Sequence, residues 1–176
     1  IIVILVLFSI ASLNFVNRIK TELNTTKIGE VLHKKDFGHV YIWTGAGLRA
    51  FQIKVFIEIL TEQYNLFLGE GLNNSQNSLI EKYKEYNLYP GFYNYNYHNQ
   101  YIQVFAELGI IGLLILVLIL VLILKKAIKQ KDFLLLSFIV LILLVCITES
   151  FLWRQRGMVF FITITLLFSQ RKKHFT

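Results

Sequence analysis

A chain of 176 residues in which 55% are hydrophobic and only 16% charged departs from the soluble norm, where about a quarter of residues carry charge. Its net charge of +7 is concentrated in two short segments beside apolar runs, Lys125 to Asp132 and Arg171-Lys172-Lys173, while residues 18–101 are nearly balanced. That is the pattern of the positive-inside rule, and it excludes a nucleic-acid partner, which would call for a basic stripe on a soluble face.

The first element is the apolar run 1–17, which begins abruptly at Ile1-Ile2-Val3 with no Met, no basic n-region and no small-x-small cleavage site. It reads as a truncated transmembrane helix rather than a signal peptide, and the chain as the C-terminal part of a longer protein. A bilayer core of about 30 Å needs roughly 20 apolar residues. Three further spans follow at 102–124, 133–149 and 152–169, the last two short enough to form a tight hairpin. The sequence therefore predicts an all-α, polytopic transmembrane bundle. The Lys-rich loop 125–132 and the tail 170–176 lie in the cytoplasm, and the loop 18–101 lies outside.

Within that loop an amphipathic helix is predicted over 49–68. Ile53, Phe56, Ile57, Leu60, Tyr64 and Phe67 fall at spacings of three and four, with Lys54, Glu58, Thr61, Glu62 and Asn65 opposite, the signature of one apolar face. Gly45 and Gly47 break the backbone before it, and Gly69-Glu70-Gly71 ends it. The simple reading of these last glycines is a left-handed C-cap; a phosphate-cradling turn is the sharper one. Arg49 projects from the apolar side, where a guanidinium snorkels to headgroups, pairs with a carboxylate or holds a phosphate in its fork.

A Tyr/Asn-rich run from Tyr86 to Tyr97 reads as an ordered aromatic loop at the membrane surface. His98-Asn99 stands where the outer loop joins the long span. A histidine accepts a proton near neutral pH, which suits general-base activation of a hydroxyl; by itself a lone histidine more often plays an interfacial hydrogen-bonding role. Gln100, Gln103 and Glu107 continue as a polar stripe into the span, and Gly109 and Gly112 allow close helix packing. An acid two turns inside the bilayer edge should face protein or a wet cavity. For Glu107 the expected partner is Arg154 or Arg156. Nine residues separate it from His98, so it is no evident orienter of that ring. Beyond the third span come Glu149, Arg154 and Arg156, on the outer side by span parity and against the charge bias, which points to a local use for the two arginines. Cys146 is a plain packing residue.

Four blocks resemble the C-terminal region of the O-antigen ligase family, the Wzy-like superfamily of membrane glycosyltransferases. They are Thr44-Gly45-x-Gly47-Leu48-Arg49, Gly69-x-Gly71, His98-Asn99-Gln100-Tyr101 with Ala106-Glu107-Leu108-Gly109-Ile110-Ile111-Gly112, and Glu149…Arg154-x-Arg156-Gly157. The resemblance covers about residues 40–170, and the His-Asn…Glu-x-Gly-x-x-Gly block is its most specific part. One departure is Ile53, where the family often has a tryptophan.

The resemblance implies a GT-C-like, inverting, metal-independent glycosyltransferase with no cofactor, set in a bacterial inner membrane with its catalytic loop facing the periplasm. The donor would be an undecaprenyl-diphosphate-linked glycan, and the acceptor a lipid A-core sugar hydroxyl or another glycan. Arg49 would bind the diphosphate and His98 would act as base; Arg154, Arg156 and Asn99 would add substrate contacts. Glu107, Glu149, Gly69, Gly71, Gly109 and Gly112 would orient or support the site. An O-antigen polymerase or protein O-oligosaccharyltransferase of the same superfamily fits the same residues. A non-enzymatic membrane transporter or structural subunit is the reading from another class; Glu107 would serve an ion path there, but no inverted repeat is visible.

Overall fold

The computed structural model of the chain describes residues 16–17, 20–22, 27–39, 41, 43–62 and 66–170. The apolar run 1–17, apart from Val16 and Asn17, and the basic tail from Arg171 lie outside these residues, as do Tyr64 and Asn65. Six α-helices are described, α1 (Ile28–His33), α2 (Gly45–Glu62), α3 (Asn74–Glu85), α4 (Gln100–Lys129), α5 (Phe133–Thr148) and α6 (Gln155–Gln170), with a 3-10 turn at Pro90–Phe92. Among the described residues there is no strand, so the fold is all-α as expected.

Two cores organise these helices. The first sits in the lobe that precedes α4 and gathers Phe51, Val55, Leu79, Tyr83, Leu88 and Tyr97 around α2. The second joins α4, α5 and α6 through Leu120, Leu135, Ile139, Ile142, Cys146 and Phe161. α4 is 30 residues long and apolar enough to cross a membrane, while α5 and α6 are shorter apolar helices. Leu114, Leu118, Leu122, Leu141, Leu144 and Leu167 are all exposed. Exposed leucines recurring on all three helices suit a hydrocarbon surrounding.

α2 starts earlier than its periodicity suggested. The Thr44 hydroxyl accepts the Gly47 N–H at 3.1 Å, an N-cap that places Gly45 and Gly47 inside the first turn rather than in a break. The buried face also differs. Leu48, Phe51, Gln52, Val55, Phe56 and Ile59 face the core, whereas Ile53 and Ile57 are about half exposed. The helix is apolar on both sides, so counting hydrophobic residues could not choose between them. The choice follows from the aromatic side chains of other segments, because Phe51 meets Phe37, Trp43, Tyr83 and Tyr86. Lys54 and Glu58 close over the rim: the Lys54 ammonium lies 4.3 Å from the centre of the Tyr86 ring, and the Tyr86 hydroxyl donates to Glu58 at 2.7 Å. Burial, then the Glu58 carboxylate, push the Tyr86 phenol above its usual range.

α2 ends at Glu62, so Gly69-Glu70-Gly71 does not terminate it. This turn is instead laid across a break in α4. Gly109 has φ +66°, outside the helical region. A break in an apolar helix persists only where the freed backbone groups find partners. Here Ile110 N–H donates to the Leu66 carbonyl at 2.8 Å, and the Ala106 and Glu107 carbonyls accept from Glu70 and Gly71 N–H, each at 2.9 Å. The approach is so close that a Cβ on Gly69 (φ +72°) would lie 2.6 Å from Gly109 N, and one on Gly109 would overlap the Phe67 carbonyl. A Cβ on Gly112 would meet first the side chain of Leu108 on its own helix.

The Lys-rich segment is mostly helical, since α4 runs to Lys129. Asp132 N–H donates to Ala127 O and Lys131 N–H to Ile128 O, both at 3.0 Å, with Lys131 left-handed at φ +49°. That is a Schellman ending. Asp132 then caps α5, accepting from Leu134 and Leu135 N–H at 3.1 Å.

Candidate active site

Arg49 lies on the second turn of α2, His98 just ahead of α4, and Glu149 just past α5. The structure joins all three through one carboxylate. Glu149 Oε1 accepts from Arg49 Nη2 at 3.3 Å, and Oε2 lies 3.0 Å from His98 Nδ1. The Arg49 and Glu149 side chains are about two-fifths exposed, and that of His98 is 19% exposed, so the group opens to the outside of the lobe.

The position follows from helix ends. The last carbonyls of α5 have no intrahelical partner and carry the negative end of the helix dipole. Arg49 Nε and Nη2 donate to Thr148 O at 3.3 and 3.1 Å, and the Asn99 amide donates to Ile147 O at 3.0 Å. Asn99 Oδ1 caps α4 by accepting from Tyr101 and Ile102 N–H, each at 3.0 Å. Asn99 thus ties two helix ends together. Arg49 Nη1 turns back to the Gly45 carbonyl at 3.2 Å. A Cβ on Gly45 would stand 3.1 Å from this nitrogen and 3.2 Å from Glu22 Oε1, so glycine keeps that space open and brings Glu22 beside the guanidinium.

His98 itself is strained, at φ +45°. Non-glycine residues in this region cost about 1 kcal/mol or more and persist where the surroundings impose them. Its N–H is held by Asn96 Oδ1 at 2.9 Å, and its ring meets Tyr95 edge-on at 5.4 Å. A carboxylate only accepts hydrogen bonds, so Nδ1 carries the hydrogen and the lone pair of the neutral ring lies on Nε2.

Glu107 has neither of its expected arginine partners. It is buried at 5% exposure and accepts from Gln103 Nε2 at 2.9 Å and Trp153 Nε1 at 2.8 Å. Gln100 Oε1 accepts from Leu152 N–H at 2.7 Å and Trp153 N–H at 3.1 Å. The polar stripe of α4 therefore clamps the α5–α6 turn that carries Glu149. An indole beside a buried acid satisfies the acid without a second charge, which an arginine in apolar surroundings would not do cheaply. Arg154 and Arg156 are exposed at the start of α6 and do not join the carboxylate bridge. Arg156 heads a shallow apolar groove along Val159, Phe160, Thr163 and Ile164.

The family profile described as O-antigen ligase matches residues 1–117. The chain belongs to the O-antigen ligase family. The matched region contains Arg49, Gly69, Gly71, His98, Glu107, Gly109 and Gly112, and ends before Glu149, Arg154 and Arg156. No curated protein and no solved structure matches the chain. For a member of the O-antigen ligase family, a role in ligase- or polymerase-type chemistry on lipid-linked glycans follows, at a membrane that α4 is long and apolar enough to cross.

Sequence reasoning placed Arg49, His98 and Glu149 on the outer side separately. It missed Thr148, Trp153 and Glu22, and gave Gln100 a place in the polar stripe without its partners on the α5–α6 turn. Trp153 carried a signal, as an aromatic between two charged positions in a short turn. Thr148 acts through its backbone carbonyl, which no side-chain pattern reports.

Proposed function

We propose that this chain belongs to a metal-independent, inverting O-antigen ligase-like glycosyltransferase. It moves a glycan from an undecaprenyl-diphosphate carrier to a lipid A-core sugar hydroxyl on the periplasmic side of a bacterial inner membrane. The observation that carries this reading is the Glu149 carboxylate shared between the Arg49 guanidinium and the His98 imidazole. A base held by an acceptor-only group, beside a fixed cation, is the pair that hydroxyl attack on a diphosphate ester requires.

In this mechanism Nε2 of His98 takes the proton of the acceptor hydroxyl. The acceptor oxygen attacks the anomeric carbon from the face opposite the carrier. The carbon–oxygen bond to the diphosphate breaks, and the carrier leaves with the electron pair. Glu149 holds the tautomer and stabilises the imidazolium. It is also the anion that occupies Arg49 before substrate arrives. The donor diphosphate takes over that guanidinium contact, leaving Glu149 to the histidine alone. Arg154 and Arg156 stand as further phosphate contacts at the head of the α6 groove. The spans 102–124, 133–149 and 152–169, with cytoplasmic 125–132, form the polytopic bundle that carries the outer loop.

The test is a reconstituted assay with lipid-linked donor and a panel of acceptors. Transfer to lipid A-core identifies a ligase; extension of a lipid-linked glycan identifies a polymerase; transfer to a protein identifies an oligosaccharyltransferase. No transfer to any of these acceptors would sink the enzymatic reading. Two variants sharpen the test. Arg49→Lys keeps the charge but loses the planar fork, and about 10²-fold of turnover should go with it; unchanged turnover removes the fork from the mechanism. Glu149→Gln offers His98 an amide that can donate to Nδ1 and so set the wrong tautomer. A fall of about 10²-fold or more in turnover at normal expression is expected.

A further inference from the structure

Four rings make successive edge contacts that lead from the surface of the lobe to the imidazole of His98. Tyr89 meets Phe92 at 5.9 Å between ring centres, Phe92 meets Tyr95 at 5.5 Å, and Tyr95 meets His98 at 5.4 Å. Their sequence spacing is three throughout. Tyr89 is 57% exposed and Tyr95 40% exposed, although the other tyrosines of the lobe core, such as Tyr83 and Tyr97, are buried. Phe92 is half-buried between the two exposed rings and anchored to Trp43.

The strip is rigid. Phe92, Tyr93 and Tyr95 N–H donate to Tyr89 O, Pro90 O and Phe92 O at 2.9, 3.1 and 2.9 Å. From α3, the Gln76 amide donates to the Tyr93 and Tyr95 carbonyls at 3.3 and 3.1 Å. Gly91 lies under the Tyr89 ring, so closely that a Cβ there would overlap the ring edge. Rigid, exposed tyrosines offer a wide amphipathic contact surface with little entropy left to lose on binding.

We propose that Tyr89 and Tyr95 form a saccharide-binding subsite on which sugar rings of one glycan stack as its end approaches His98. The proposal rests on the glycan-transfer reading for its ligand class and extends it to the residues that grip the sugar. Three observations favour a glycan as the occupant. The strip ends on the imidazole that would meet a sugar hydroxyl. With Phe92 between them, Tyr89 and Tyr95 are spaced so that one glycan chain can reach both, and exposed Asn94 supplies an amide for hydroxyl groups. Finally, exposed bulky apolar residues on α4 begin only at Leu108, about 13 Å along the helix from its cap at Asn99, so Tyr95 stands off the lipid-facing surface.

The experiment uses the full-length protein in nanodiscs and, as probe, the oligosaccharide freed from the host's lipid-linked glycan by mild acid. Saturation-transfer NMR should show contacts from aromatic protons to sugar C–H groups. Tyr89→Ala should weaken this binding roughly three- to tenfold, and should raise the glycan KM by the same factor with kcat within about threefold. Tyr89→Phe should behave as wild type in both. Arg49→Lys should lose turnover yet bind the free oligosaccharide normally, which separates this proposal from the transfer reading: binding without transfer in the wild type would overturn that reading and leave the subsite standing. Absence of saturation transfer in the wild type, or unchanged affinity in Tyr89→Ala, would overturn the subsite. A drop in thermal stability of Tyr89→Ala in nanodiscs with unchanged affinity would overturn it in favour of a membrane anchor.

Discussion

Alanine at His98 should lower glycan transfer by about 10²- to 10⁴-fold, the usual contribution of a positioned general base. The protein should still be made and inserted at normal levels. The ring packs against Tyr95 and Glu149 at the edge of the lobe, and neither buried core depends on it. The left-handed backbone at residue 98 is set by Asn96 and by the cap at Asn99, which alanine leaves in place. Donor binding should change little, because the proposed mechanism gives the diphosphate contact to Arg49. A transport or scaffold role predicts the opposite, normal function in the His98→Ala strain. Measuring transfer in vesicles together with donor retention decides between them. Wild-type turnover in His98→Ala would end the proposal that its imidazole takes the acceptor proton.

Gly109→Ala should cost about 3 kcal/mol or more, in the range reserved for strained or colliding backbone. The added carbon would overlap the Phe67 carbonyl, and residue 109 would have to hold φ +66°. The variant has two ways out, and both do damage. Straightening α4 turns the Ala106 and Glu107 carbonyls back to Ile110 and Ile111 N–H, which strips Glu70 N–H, Gly71 N–H and the Leu66 carbonyl of their partners. Moving the 66–71 turn away leaves the broken helix with unpaired backbone in apolar surroundings, at several kcal/mol per group. Thermal unfolding in nanodiscs and limited proteolysis at residues 66–72 report the loss. Gly69→Ala should match it, and the double variant should cost less than the sum, since both mutations break the same contact. A Gly109→Ala protein with wild-type melting and protection would show that the turn does not hold the break.

Much of the architecture was legible because membrane insertion acts on composition. The apolar lengths of α4, α5 and α6 are local properties of the chain. The position of His98 at the junction of a polar loop and a long apolar helix was equally plain. What failed was the orientation of α2. Ile53 and Ile57 are as apolar as Val55 and Ile59, and only the aromatic residues of α3 and the Tyr-rich loop decide which pair is covered. Gly69 and Gly109 were each visible as glycines, but their mutual contact joins residues forty positions apart. Periodicity carries no information across that separation.

The sequence by itself determined that this is an all-helical chain of the O-antigen ligase family with Arg49 and His98 outside its long apolar helix, because residue type, spacing and hydropathy are written in order along it. Only the tertiary structure decided that Glu149 links the two, that Glu107 belongs to Trp153 rather than to an arginine, and that a glycine turn seals the break in α4. Those outcomes depend on where helix ends meet. A free carbonyl at the close of one helix is an acceptor for whatever cation another segment brings to it, and which segment arrives is settled by packing.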